Sequence, residues 1–144
     1  VEIGMSRARG DYPWTIALPT RWADNDQYGH LNNATYFSLF DTALTHWQMG
    51  AGLLSDAPDA PRFLVVENGC TYHEELAFPD LIDAGVKCGH VGRSSFRLDL
   101  ALFRGEATEA AATGFFAQVQ VDAETHKPLA LENRARSILQ EISG

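Results

Sequence analysis

Hydrophobic and polar positions change period along this chain, and the changes mark its elements. Tyr12 to Trp22 reads as a first strand, re-aimed at Pro19, and a polar stretch from Arg21 to Asn33 follows it. From Asn33 to Met49 the apolar residues Tyr36, Phe37, Leu39, Phe40, Ala43, Leu44 and Trp47 recur at three- and four-residue intervals, which predicts a helix. Asn32 or Asn33 supplies the N-cap, and Gly50 is a natural stop. The apolar stripe is broad, so the helix is expected to pack on several sides as a core element.

Gly52 to Arg62, with Pro58 and Pro61, reads as a loop, and beyond it the period becomes two. Phe63 to Leu76 is strand-like, Pro79 breaks it, and Leu81 to Val91 forms the next strand. After a turn at Gly92, the residues Phe96, Leu98, Leu100 and Leu102 alternate with Arg97, Asp99 and Ala101. Gly105 opens the next connection. Phe115, Ala117, Val119 and Val121 alternate with Phe116, Gln118 and Gln120 in a last strand. Asp122 to Pro128 is a polar turn, and Leu131 to Ile142 a short terminal helix. One strand, a long helix and then four consecutive strands joined by short turns predict antiparallel pairing in an α+β layer arrangement.

Length changes this picture little: 144 residues correspond to one domain, 1–144, at about 150 residues per domain. Such a chain buries about two-thirds of its unfolded surface and needs no disulfide or metal to hold a core. Charge excludes more. A net charge of −8 with a pI near 4.9 argues against a nucleic-acid surface, which needs a basic stripe. An anionic small molecule stays possible if a few arginines gather locally. Cys70 and Cys88 are in no CxxC pair and read as buried free thiols in a reducing compartment. No apolar run approaches the length of a membrane span, and Val1 to Gly10 lacks an apolar signal core, so the expected location is cytoplasmic, with no membrane partner.

The candidate chemistry lies in Arg21 to Asn33, RWADNDQYGHLNN, where Asp24 and Asp26 precede a helix start. A helix start offers unpaired N–H groups and partial positive charge. Asp24, Asp26 and Gly29 match the first, third and sixth positions of an EF-hand loop. Tyr28 at the fifth, Thr35 at the twelfth and the lack of a preceding helix rule calcium out. Two readings remain. The carboxylates brace a turn, with Asp24 capping or pairing with Arg21. Alternatively, one of them faces a substrate carbonyl held on the helix N–H groups as a base or nucleophile. Spacing alone does not choose between them.

The pattern D-x-D-x-x-G-H-x-N-N-x-x-Y, Asp24 through Tyr36, resembles the signature of the 4-hydroxybenzoyl-CoA thioesterase-like branch of the hotdog-fold acyl-CoA thioesterases. Gly92-Arg93-Ser94-Ser95 resembles that family's third-to-fourth strand corner. Ala112 to Pro128, with Gly114, Val121 and Asp122, resembles its last strand and turn. The resemblance implies a hotdog, an antiparallel sheet wrapped around a long central helix, and an enzyme that hydrolyses an acyl-CoA thioester. It needs no metal and no cofactor, coenzyme A entering only as part of the substrate. It also implies that subunits pair edge to edge as a homodimer or homotetramer with active sites at the interface.

By that resemblance Asp26 is the catalytic aspartate, attacking the thioester carbonyl or activating a water, and the backbone N–H of Asn33 polarises the carbonyl. Gly29 allows the tight turn, and His30 either orients the loop or touches the substrate. Asn32 is a cap or brace, and Tyr28 a candidate wall of the acyl pocket. Arg93, Ser94 and Ser95 are the candidate coenzyme A contacts. Arg97 and Arg104 are expected to be solvated strand-face residues, and Glu67 is a candidate contact across an interface. Some family members carry the acid on the helix, whereas this helix has only Asp41 near its middle. Tyr36, Phe37, Phe40, Phe63 and Phe78 suit a ring or a chain, and most are expected in the core. Two alternatives stand beside hydrolysis: a non-catalytic acyl-CoA-binding or sensing module, and a hydroxyacyl thioester dehydratase of the same fold.

Overall fold

The alternating stretches form one five-stranded antiparallel sheet, and the period-3.6 stretch is a helix laid across one face of it. The computed structural model describes residues 5–143; residues 1–4, part of the stretch read as lacking a signal core, and residue 144 lie outside the described residues. The elements run β1 (Trp14–Pro19), α1 (Asn33–Gly50), β2 (Arg62–Tyr72), β3 (Leu81–Val91), β4 (Ser95–Arg104), β5 (Ala112–Val121) and α2 (Asn133–Gln140). The alternation works as the pleat requires. Ile82, Ala84, Val86 and Cys88 of β3, Phe96, Leu98, Leu100 and Leu102 of β4, and Ala112 and Phe116 of β5 share a core with Leu39, Phe40, Ala43, Leu44 and Trp47 of α1. Each such side chain contributes about 1.5–3 kcal/mol when fully buried, so this layer contact is the main driving term.

Seating α1 requires a gap in the sheet surface. Gly114 of β5 provides it. A Cβ there would stand 2.7 Å from the Phe40 ring and 2.6 Å from the Gly69 carbonyl oxygen. Phe40 is wholly buried and packs edge-on against Phe116. The helix buries one broad stripe (Tyr36, Leu39, Phe40, Ala43, Leu44, Trp47 and Gln48) and leaves Asp41, Thr42, His46 and Met49 exposed, so it is not packed on several sides as expected. Apart from Met49 that outer face is polar, so little on it favours burial. Gln48 donates to Gln118 at 2.8 Å across the layer, so both buried amides are paired.

Gly50 is the last residue of the helix, with Ala51 as its C-cap, and the left-handed glycine is Gly52, at φ 78°. Three further expectations need correction. β2 and β3 are consecutive but do not pair, because the strand order is β1-β3-β4-β5-β2. The strand expected over Phe63 to Leu76 ends at Tyr72, and the groups beyond it bond elsewhere. The His73 and Glu74 N–H groups both donate to the Ala111 carbonyl, and the Leu76 carbonyl accepts from Leu31 N–H at 2.8 Å. Residues 73–80, which include a cis Phe78–Pro79 bond, therefore carry the chain between opposite sides of the sheet instead of closing a hairpin. Finally, both thiols are free, but only Cys88 is buried, and Cys70 is half-buried.

Gly114→Ala should destabilise the protein by about 1–3 kcal/mol, the usual cost of overpacking a tight core contact. A lower urea midpoint with an unchanged slope would register it, and an unchanged midpoint would contradict the seating argument.

Candidate active site

The polar stretch between β1 and α1 folds around Asp24. A single 3₁₀ turn, Trp22–Asp24, buries this residue, and its carboxylate accepts from the Arg21 backbone N–H at 2.7 Å and from the Arg21 guanidinium at 2.8 and 3.2 Å. Its carbonyl accepts from the Asn32 N–H at 2.9 Å and the Thr35 hydroxyl at 3.3 Å. Asp24 therefore ties the loop to the first turn of α1. Burial raises its pKa, but the hydrogen bonds and charge of Arg21 outweigh burial and hold it below the ordinary 3.8.

Asp26, two residues on, is only half-buried and has a different set of partners. Its Oδ1 accepts from the Tyr28 N–H at 2.8 Å, with the His30 N–H farther off at 3.4 Å. Its own N–H donates to the His30 carbonyl at 2.7 Å, and Gly29 closes the turn at φ 83°. No donor reaches Oδ2 among the described residues. The carboxylate braces its turn with one oxygen and keeps the other unbonded.

The helix start is equally specific. Asn32 is the N-cap: its side chain accepts from the Ala34 N–H at 2.9 Å, and its carbonyl accepts from the Thr35 N–H at 2.9 Å. The N–H of Asn33 has no acceptor among the described residues. Asp26, His30, Leu31, Asn33, Tyr36, Tyr72, His73, Glu74 and Glu75 line an open cleft of about 290 Å³. It joins the motif loop and helix start to the segment that follows β2.

Several of these groups escaped the sequence reading. His30 Nε2 lies 3.0 Å from a Glu75 carboxylate oxygen, and His73 Nε2 lies 3.0 Å from the Thr113 hydroxyl. The Tyr36 and Tyr72 rings meet edge to face at 4.8 Å. Burial raises the Tyr36 pKa, lifts Tyr72 to about 12 and Cys70 to about 11, the last two also sharing a hydrogen bond. The available signal was the run Tyr72-His73-Glu74-Glu75, which breaks the strand alternation. Arg104 is exposed at the end of β4, as expected of a solvated strand residue, and it also bonds Asp80 at 3.2 Å and the Glu75 carbonyl, with Glu74 at 3.8 Å. Arg97 pairs with Asp99 at 2.8 Å.

Other expected site residues lie apart. Tyr28 is 76% exposed and does not line the cleft, because the left-handed turn at Gly29 carries it outward. Arg93, Ser94 and Ser95 do sit at the turn between β3 and β4, where Arg136 of α2 donates to the Gly92 and Arg93 carbonyls at 3.0 and 3.1 Å. That turn is at the far end of the sheet from Asp26, one length of β4 away, so these residues and Asp26 do not meet within one subunit. Antiparallel strands place successive turns at opposite ends, and the sequence alone did not say which end each occupied.

Residues 28–111 match the family model described as "Thioesterase superfamily", more than half of the chain. The chain belongs to that superfamily. The matched segment contains Asn33 and the Arg93 corner and begins two residues after Asp26. Among solved structures, the chain is similar to the PA5185 protein from Pseudomonas aeruginosa strain PAO1, at 36% identity over 96% of both chains with a TM-score of 0.89. It also resembles a thioesterase from Thermus thermophilus complexed with coenzyme A and Zn, at 24% identity over 92% of this chain and 96% of that one, TM-score 0.77. A 1,4-dihydroxy-2-naphthoyl-CoA thioesterase from Synechocystis shares 14% identity over 90% and 97% of the two chains, TM-score 0.78. No curated protein sequence matches. The fold of this superfamily member is the hotdog, with the sheet order and long helix described above.

Asp24 sets a pH expectation. Because its folded pKa is depressed, its stabilisation is present above the ordinary carboxylate pKa of 3.8 and is lost as pH falls through the lower folded value. Asp24→Asn should lower Tm at pH 7, and the gap to wild type should close as the pH drops below that range. A gap that stayed constant on acidification would contradict the pairing.

Proposed function

We propose that this superfamily member hydrolyses an acyl-CoA thioester, with Asp26 as base or nucleophile and the Asn33 N–H as the group that polarises the thioester carbonyl. One observation carries the reading: a carboxylate with one oxygen unbonded and the Asn33 N–H without an acceptor, both among the described residues, line the same cleft. In this mechanism the thioester oxygen sits on the Asn33 N–H, where charge grows as the carbonyl carbon is attacked. Asp26 either adds to that carbon directly or takes a proton from the attacking water. On the direct route the C–S bond breaks to give an acyl–Asp26 anhydride, which a water then hydrolyses to restore the carboxylate; on the other route the water itself displaces the sulfur. Either way one water is consumed, the departing coenzyme A thiolate takes up a proton and the acyl carboxylate is released. Neither route calls for a metal or prosthetic group.

The same reading makes the protein a homo-oligomer. Among the described residues β2 is bonded on one side only, by β5, and it exposes Leu64, Val65 and Val66, the last at the bulge. An open strand edge of this kind is a template for pairing. Two β2 edges paired antiparallel about a twofold set Tyr72 of one copy against the Arg62 end of the other. The turn carrying the partner's Arg93 then comes to the end of the sheet that holds Asp26. Arg93, Ser94 and Ser95 would serve coenzyme A from across the interface.

Two experiments test this. A panel of aromatic, short and long acyl-CoAs, read with a thiol reagent, should reveal hydrolysis that Asp26→Asn lowers by about a hundredfold or more while coenzyme A still binds. Full activity in that variant would remove Asp26 from the chemistry. Coenzyme A binding without cleavage of any thioester would favour the binding or sensing module. Val66→Lys, at a position exposed in the single subunit, should shift the protein toward monomer in light scattering and lower activity with it. An unchanged oligomer would overturn the β2 pairing.

A further inference from the structure

We propose that Arg104 is a positioning residue of this cleft: it holds the segment after β2 as a fixed wall and so sets where Glu75, His30 and Asp26 stand. The proposal rests on the thioesterase reading above and adds a residue that touches no substrate. Residues 73–80 supply one wall of the cleft, at 73–75, and belong to no strand or helix, so no ladder sets their path. The near end is held by the Ala111 carbonyl, which accepts from the His73 and Glu74 N–H groups. Beyond it, Arg104 reaches over from the end of β4. Its guanidinium donates to the Glu75 carbonyl and to the Asp80 carboxylate at 3.2 Å, and stands 3.8 Å from the Glu74 carboxylate. A single planar fork thus gathers both ends of the segment onto the sheet. Arg104 is itself fixed by the ladder, opposite Ile82 of β3. Because β5 separates β4 from the β2 edge, these bonds are made inside one subunit whether or not a partner pairs with that edge.

What Arg104 holds is passed on to the motif loop. Next to the Glu75 carbonyl, the Leu76 carbonyl accepts from the Leu31 N–H at 2.8 Å, and the Glu75 carboxylate faces His30 Nε2 at 3.0 Å. The His30 carbonyl in turn accepts the Asp26 N–H at 2.7 Å. Asn25, beside Asp26, accepts from the Phe78 N–H at 2.9 Å farther along the same segment. A shift of the wall therefore moves the turn that carries Asp26. The ion pairs add little stability, because the Arg104 side chain is 45% exposed and that of Glu74 49%. Their effect is on geometry, and rate is far more sensitive than stability to a small displacement of a reacting group.

The test compares Arg104→Gln and Arg104→Lys with the wild-type protein on an acyl-CoA that the wild type hydrolyses. Arg9→Gln is the structural control: Arg9 bonds Asp83 at 2.8 Å and the Ala107 carbonyl at 2.9 Å, and it lies outside the cleft. Arg104→Gln should lower kcat by about tenfold, within the roughly hundredfold that a shift of about 1 Å can cost, while Tm and the Kd for free coenzyme A change little. Arg104→Lys should recover part of the loss, because a point-like ammonium spans fewer of the three acceptors. Arg9→Gln should keep its kcat. Should Arg104→Gln fail to fold, Arg104→Lys carries the same comparison. An unchanged kcat would overturn the proposal and leave the hydrolase intact. So would an equal fall in kcat in Arg9→Gln, which would make the effect one of stability. A raised Kd for coenzyme A at constant kcat would also overturn it, since Arg104 would then contact the ligand directly. A wild-type protein that cleaves no thioester in the acyl-CoA panel would overturn the thioesterase reading and this proposal together.

Discussion

A long helix can lie close against a twisted sheet only where the sheet surface lets it in, and here that place is Gly114. The Phe40 ring fills the volume that a Cβ would take, and the Gly69 carbonyl closes it from the neighbouring strand. The contact is made deep in the layer between α1 and β5 and fixes the depth of the helix. Its first turn then lies at the end of the sheet where β2 finishes and β5 starts, since Tyr72 pairs with Ala112. The Asn33 N–H and the residue 73–76 segment meet there as a consequence. The position of the cleft follows from core packing, before any loop chemistry is considered.

Loop chemistry then separates two carboxylates that look equivalent on paper. Asp24 is buried, paired with Arg21, and bonded through its carbonyl to the helix start, so its charge and its backbone are both spent on structure. Asp26 spends one oxygen on the Tyr28 N–H and sits on the cleft wall. A two-residue shift converts a tether into an available group because the intervening 3₁₀ turn ends and the chain reverses at Gly29. The Arg21 guanidinium on Oδ1 offsets the charge of Asp24, whereas a backbone N–H on Oδ1 holds Asp26 in place and leaves its charge in the cleft.

Much of this was legible in the residues. The helical spacing of Tyr36 through Trp47 and the alternation through β3, β4 and β5 gave elements whose bounds shift by a few residues. The motif marked a loop whose Asp26, His30 and Asn33 come to line one cleft, and Asn32 was one of two caps the pattern offered. What was not legible depended on long-range pairing. Nothing in Phe63 to Leu76 says that its last residues leave the ladder, since their backbone partners, Ala111 and Leu31, are distant in sequence. The misplacement of β2 beside β3 has the same origin. Arg104 looked like an ordinary strand-end arginine because Glu74, Glu75 and Asp80 come to it only after that crossover forms. The Arg93 corner resembled a ligand contact without revealing that a full strand separates it from Asp26.

That separation constrains what the isolated subunit can do. The wall of the cleft at residues 73–75 is the direct continuation of β2, whose outer edge has no strand beside it among the described residues. Any strand that pairs with that edge would also stand beside the open side of the cleft, near Tyr72. On the thioesterase reading, edge pairing and site closure are one event. The apolar residues Leu64, Val65 and Val66 lose water as the half-open cleft gains its missing side. The acidic net charge of −8 then matters less than where charge lies. Asp26 and Glu75 sit at one end of the sheet, while Arg93 and Arg136 sit at the other. On the same reading, an antiparallel pairing of two subunits would bring the Asp26 end of one beside the Arg93 end of the other.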